Sequence, residues 1–191
     1  MKVLGINGSA RRDGNTAQLI RMVFDELEAA GIETEMVNLA GKKLSGCIAC
    51  MKCWEKKNRR CVVEKDDMNG LIELMDAADG ILLGSPTYFA NVSTELKAVI
   101  DRAGMVAKAN GDMFGRKVGA GVVAVRRGGG IEVFNAMNHF FLIGQMVVPG
   151  SIYWNLGRGL DKGDVQNDAE GKETMAVLGR NMAWVMGKLS A

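Results

Sequence analysis

KVLGINGSARRDGNTAQLIRMVFDELEAAG, residues 2–31, is the stretch on which the fold turns. Lys2 to Asn7 is a short apolar run without polar alternation, as in a parallel strand buried on both faces, and Gly8-Ser9 ends it. From Thr16 to Ala30 the period changes. Leu19, Ile20, Val23, Phe24 and Leu27 recur on one helical face, and Gly31 stands where a helix stop wants a residue tolerant of positive φ. Strand, tight loop and amphipathic helix therefore follow one another with no spacer.

The same unit recurs along the chain. Glu33 to Leu39 alternates with period two, as a second strand. Asp67 is placed to cap a helix running to about Ala78, with Leu71, Ile72, Leu74 and Met75 inside. Asp79 to Gly84 is a third strand, and Ser93 opens a helix carrying Leu96, Val99 and Ile100. Lys117 to Val125 is a fourth strand, whose Gly119 and Gly121 predict a closely packed neighbour. Ile131 to Ile143 is helical, Met146 to Pro149 a short fifth strand, and Ala169 to Leu189 a closing helix. Such alternation makes a parallel sheet with helices on both faces, in one domain over residues 1–191. A cysteine-rich loop at 45–66 and a polar, glycine-rich excursion at 150–168 interrupt it. Ligands of such sheets lie beyond the carboxyl ends of the strands, which points to the loops 8–15, 85–92 and 126–130.

Composition narrows the function without naming it. A length of 191 residues supports one sizeable core, and 48% hydrophobic with 24% charged residues is the balance of a soluble globular chain. A net charge of +2 gives no reason to expect nucleic acid, and the run Lys56, Lys57, Arg59, Arg60 reads as a solvated loop. No signal peptide is visible, and nothing approaches the roughly 18 apolar residues of a membrane span, so the chain reads as cytoplasmic.

Gly8-Ser9-Ala10-Arg11-Arg12-Asp13-Gly14-Asn15-Thr16 is neither a G-x-G-x-x-G turn nor a P-loop. It offers what a phosphate monoester needs: glycines for close approach, a helix start with unpaired N–H groups, the donors Ser9, Asn15 and Thr16, and the cation Arg11. An ordinary capped helix, with Asn15 as N-cap, accounts for the same residues. Taken with Gly84-Ser85-Pro86-Thr87-Tyr88 in the third loop, the motif resembles the NAD(P)H-dependent FMN reductases of the flavodoxin-like superfamily, over nearly the whole chain. The resemblance implies a doubly wound five-stranded parallel sheet of order 2-1-3-4-5. It implies FMN as cofactor, its phosphate on Ser9, Arg11, Gly14, Asn15 and Thr16. Pro86, Thr87, Tyr88, Phe89 and Asn91 would border the isoalloxazine ring, with Arg126, Gly128 and Gly129 on its pyrimidine side. Tyr88 and Phe89 beside a proline-stiffened turn independently offer flat apolar surface for a ring system. The triple glycine 128–130 must let something approach the backbone, either flavin or a neighbouring loop.

All four cysteines fall in Cys47-x-x-Cys50-x-x-Cys53-x7-Cys61. In a cytosolic chain a cluster this tight speaks for metal or redox chemistry rather than structural disulfides. Three cysteines at three-residue steps with one remote partner look more like ferredoxin ligation than the paired knuckles of zinc, although Val62 stands where a ferredoxin has proline. The segment resembles that of the iron–sulfur flavoproteins of anaerobic microbes, which implies a [4Fe–4S] cluster on Cys47, Cys50, Cys53 and Cys61. Zinc, a disulfide and free thiols remain open.

The lone His139 lies in a helix and suits a surface or structural role, and the thirteen methionines suit core or interface. Trp54 and Trp154 are expected in loops near the site, and Trp184 in the core. The chain is thus expected to be an FMN-dependent oxidoreductase. NAD(P)H or a protein would donate electrons, a small molecule or protein would accept them, and a cluster would exchange single electrons with the flavin. A cluster-free NAD(P)H:FMN or quinone reductase is one alternative. A non-enzymatic flavodoxin-type carrier is another, weakened by a pI near 8.3. Exposed apolar residues and the resemblance together predict a homodimer or homotetramer.

Overall fold

In the computed structural model, which describes residues 1–190, the apolar runs become β1 (Lys2–Asn7), β2 (Glu33–Asn38), β3 (Gly80–Pro86), β4 (Val118–Val125) and β5 (Leu156–Arg158). They pair in parallel in the order β2-β1-β3-β4-β5, the flavodoxin-like order. The helices are α1 (Asn15–Ala29), α2 (Lys52–Lys56), α3 (Met68–Ala77), α4 (Thr94–Ala109), α5 (Gly130–Ile143) and α6 (Ala169–Leu189).

Strand alternation divides the core in two. Val3, Leu82, Val118, Ala120, Val122 and Ala124 point towards α1 and α6. Leu4, Ile6, Ile81, Leu83 and Val123 point towards α3, α4 and α5. Each central strand is buried on both faces, which is why its sequence shows an apolar run rather than polar alternation. The two glycines of β4 answer to α5: an added Cβ would lie 2.6 Å from Phe141 Cδ1 at Gly119 and 2.9 Å from Met137 Cε at Gly121.

Three expectations need correction. The fifth strand is Leu156–Arg158, not 146–149; Val147 makes only an isolated bridge to Val118. Pro149 has no N–H for a ladder, and the strand that does form fits beneath α1 because Gly157 has no Cβ to meet Leu19 Cδ2 at 2.4 Å. Asp67 does not cap α3 with its side chain; its carboxylate accepts from Lys43 N–H at 2.7 Å. Trp184 is 66% exposed, on the outer face of α6 rather than in the core. The basic run is exposed as expected, with Arg59 and Arg60 paired to Asp76 and Glu73 of α3. His139 is exposed on α5. No described helix is long and apolar enough to cross a membrane.

Gly119→Ala tests the packing of α5 on the sheet. The methyl would enter the Phe141 ring, so unfolding in urea should show a loss of about 1–3 kcal/mol, typical of an overpacked core. An unchanged midpoint would show that α5 is free to shift.

Candidate functional site

The loop after β1 is shaped from beneath by a buried asparagine. Asn7 donates through Nδ2 to Asn38 Oδ1 (2.7 Å) and to the Arg12 carbonyl (3.2 Å), and its Oδ1 accepts from Ser9 N–H (3.1 Å). Ser9 Oγ in turn accepts from Arg11 N–H at 3.1 Å. The turn delivers the chain to Gly14, the residue before α1, and no side chain caps that helix. Elsewhere Ser93 Oγ accepts from Leu96 N–H ahead of α4, and Asp168 does the same for Gly171 ahead of α6. The first amides of α1 are therefore left to whatever enters the cleft, and the helix end favours an anion there.

That cleft has a volume of about 220 Å³. The first loop lines it with Ser9, Arg11, Gly14, Asn15 and Thr16, the third with Pro86, Thr87 and Tyr88, and the end of β4 with Ala124 and Arg126. It contains two arginines and no carboxylate, which suits a phosphate. Thr87 is fixed by its own backbone, N–H and hydroxyl both donating to the Ala124 carbonyl at 3.0 and 3.1 Å. The residues present thus fit FMN: a phosphate cradle at one end and a Pro-Thr-Tyr wall at the other.

Four expected flavin contacts lie outside the lining. Tyr88 and Asn91 exchange backbone hydrogen bonds of 3.1 and 3.0 Å around a two-residue turn. Phe89 stands at its tip, fully exposed, and both Phe89 and Ala90 have positive φ, a strained state for side-chain-bearing residues. Asn91 turns its carboxamide back to Val92 N–H. The triple glycine answers mainly to the protein itself: a Cβ at Gly129 would meet Ala90 Cβ at 3.0 Å, while Gly128 faces open space.

Sequence reasoning missed Gly159 and Leu160, which the 150–168 excursion brings into the cleft. The tie is Asn15. Its Nδ2 donates to the Asp161 carbonyl and its Oδ1 accepts from Gly163 N–H, each at 2.9 Å. Asn15 is thus neither the N-cap nor a free phosphate donor but the latch between α1 and a loop nearly 150 positions away. Two backbone N–H groups, from Asp161 and Leu160, hold the Asp164 carboxyl below its ordinary value and stiffen the same loop. Trp54 lies on α2, its indole N–H on Met105 Sδ, and Trp154 packs at a tilt against Phe134; neither lines the cleft.

The cysteine segment is closed at its neck. Lys43 and Asp67 exchange hydrogen bonds, Ser45 Oγ donates to Asp66 Oδ2 at 3.1 Å, and α2 forms midway between the left-handed residues Met51 and Lys57. Cys47, Cys50, Cys53 and Cys61 all line one small cavity of about 20 Å³, with Arg102 of α4 as its charged wall. Cys53 is buried, which pushes its thiol up; Cys61 is half-buried, and Cys47 and Cys50 are exposed. Among the described residues no three His, Cys, Asp or Glu side chains are gathered as a metal-binding group. In number and softness the four thiols facing one cavity fit an iron–sulfur cluster, but the exposed stretch carrying Cys47 and Cys50 must move for all four to bind it.

The comparisons with known proteins agree with this geometry. Residues 1–161 match the family described as NADPH-dependent FMN reductase. An iron–sulfur flavoprotein of Methanocaldococcus jannaschii is 40% identical over 193 residues, 97% of each chain. Among solved structures, RosB with a bound 8-demethyl-8-formylriboflavin-5'-phosphate intermediate superposes with a TM-score of 0.75 at 18% identity, over all of this chain and 80% of that one. A WrbA-like flavodoxin from Agrobacterium tumefaciens gives 0.66 at 15% identity, over 98% and 97% of the two chains. At such identities the structures speak for the fold alone. The family match over most of the chain and the full-length relative carry more: this chain belongs to the family of NADPH-dependent FMN reductases and iron–sulfur flavoproteins.

Proposed function

We propose that the protein is an FMN oxidoreductase in which NAD(P)H or a protein donor supplies electrons, and Cys47, Cys50, Cys53 and Cys61 hold a [4Fe–4S] cluster that exchanges them singly with the flavin. The uncapped N-terminus of α1, opening on a cleft with two arginines and no carboxylate, carries the flavin half. The placement of all four cysteines around one cavity carries the cluster half. Bound FMN supplies hydride-accepting and one-electron chemistry of its own, so the chain need contribute no acid or base. Ser9, Thr16 and the first amides of α1 hold the phosphate, and Arg11 and Arg126 balance its charge. Pro86, Thr87 and Tyr88 wall the ring, and Leu160, latched by Asn15, shields the cleft from water. A small molecule or protein accepts the electrons. A cluster-free reductase is the second reading, favoured by the absence of a gathered ligand group among the described residues. We further propose a homodimer or homotetramer. Trp154 packs on Phe134 and Tyr153 at 6.0 and 5.8 Å between ring centroids yet remains half exposed, an aromatic surface suited to burial by a second copy.

Thr16→Val removes one hydroxyl from the phosphate cradle and keeps the shape. FMN affinity, read by flavin fluorescence, should fall about tenfold, as for one hydrogen bond to a charged group, while riboflavin binding stays unchanged. Equal affinity of the unmodified protein for FMN and riboflavin would dispose of the cradle. Anaerobic reconstitution with iron and sulfide should give about four irons per chain and broad absorbance near 400 nm. Any single Cys→Ala change should abolish that absorbance and leave FMN in place. Stoichiometric FMN with no iron would leave the cluster-free reductase. Light scattering should give two or four times the 20.5 kDa of one chain; a flavin-bound monomer would overturn the assembly.

A further inference from the structure

Most of the cysteine segment is exposed, yet its last thiol is gripped by buried polar side chains of two helices. Asn69 of α3, 4% exposed, accepts from Cys61 N–H at 2.8 Å and donates to the Cys61 carbonyl at 2.9 Å. Arg102 of α4 donates through Nη2 to Cys61 Sγ at 3.2 Å, and its side chain is 1% exposed. The rest of the guanidinium is engaged by the Val63 carbonyl (3.1 Å), the Ser45 carbonyl (3.2 Å), Ser45 Oγ (3.3 Å) and the Asp66 carboxylate. Burial pushes the Asp66 carboxyl up, but hydrogen bonds from Arg102, Met68 N–H and Ser45 outweigh it and leave the group below its ordinary value. The flavin cleft does not use Arg102. Packing does not require it either, since an apolar side chain of similar volume would fill the space without desolvating a charge. What an apolar chain could not do is give an N–H to sulfur.

We propose that Arg102 is a positioning residue that anchors Cys61 and raises the reduction potential of the metal group the cysteines hold. The proposal rests on the cluster reading above and adds a residue to it. One electron taken up by a cluster held there, supplied by reduced flavin, would add one negative charge beside Cys61. A guanidinium hydrogen-bonded to that sulfur, away from water, favours the more negative state, and hydrogen bonds to sulfur are among the determinants of such potentials. Asp66 pairs with the other terminal nitrogen of the same guanidinium, and its negative charge opposes it. The two residues therefore act with opposite signs.

Arg102→Lys keeps the charge but cannot bridge Cys61, Ser45 and Asp66 at once. Asp66→Asn keeps the bond to sulfur and removes the opposing charge. Both variants and the unmodified full chain are loaded with FMN, iron and sulfide without oxygen and titrated spectroelectrochemically. In Arg102→Lys the one-electron equilibrium of the iron-centred absorbance should shift about tenfold towards the oxidised state, about 59 mV lower for one electron. In Asp66→Asn it should shift the other way, and the flavin potential should hold in both. Equal potentials in the three iron-loaded proteins, or shifts of the same sign in both variants, overturn the role of Arg102 and leave the cluster reading standing. An unmodified protein that takes up no iron overturns both. If Arg102→Lys alone takes up no iron, Asp66→Asn decides: a raised potential supports the proposal, and an unchanged or lowered one overturns it.

Discussion

Everything in the flavin half depends on how closely α1 lies against the sheet. A Cβ would collide with Phe24 Cζ at 2.6 Å from Gly5, with Ile20 Cδ1 at 2.7 Å from Gly84, and with Leu19 Cδ2 at 2.4 Å from Gly157. Those glycines lie in β1, β3 and β5, so one helix face fills a trough cut across the sheet. The trough fixes where α1 begins. With Gly8 N–H tied to the Gly84 carbonyl at 2.8 Å, the uncapped helix end lies where the loops of β1, β3 and β4 meet.

Close packing by itself makes only a cleft; two side-chain amides shape its walls. Asn7 and Asn15 occupy the two ends of the first loop and both use their side chains on backbone. Asn7 braces the loop from beneath, holding Ser9 N–H and the Arg12 carbonyl. Asn15 recruits the 159–163 loop as a wall, so the cleft gains Leu160 from a part of the chain with no flavin motif of its own. Side chains fixed in this way before any ligand enters lower the ordering that binding would need.

The cysteine segment follows a different rule. It contributes little to the apolar core beyond Cys53 and the partly buried Leu44 and Cys61. It is held instead by Asn69, Asp66, Asp67 and Arg102, which close its neck and clamp its last thiol. Buried ion pairs are costly to assemble and more costly to break on one side, by about 3–5 kcal/mol. Their presence beneath a mostly exposed segment keeps one end of it rigid while Cys47 and Cys50 stay accessible. Since α4 begins just after the 85–92 loop, the helix that bears Arg102 also links the clamp to the wall of the flavin cleft.

The sequence by itself determined the order and type of nearly every long element, because strands buried on both faces must be continuous apolar runs and surface helices must repeat at 3.6 residues. It also determined where the tight turn from β1 into α1 falls, since its Gly and Ser are short-range requirements of a turn that meets a helix start. The true fifth strand was not legible: Leu-Gly-Arg has no pattern of its own and exists because β4 offers an edge and Leu19 leaves room for a glycine. Nor were the latch of Asn15, the wall of Leu160, the outward Trp184 or the grip of Arg102 on Cys61. Each joins residues tens to well over a hundred positions apart, or depends on which helix face meets a neighbour. A side chain's composition states what it can bond to; only the packed sheet and helices decide which partner comes within reach.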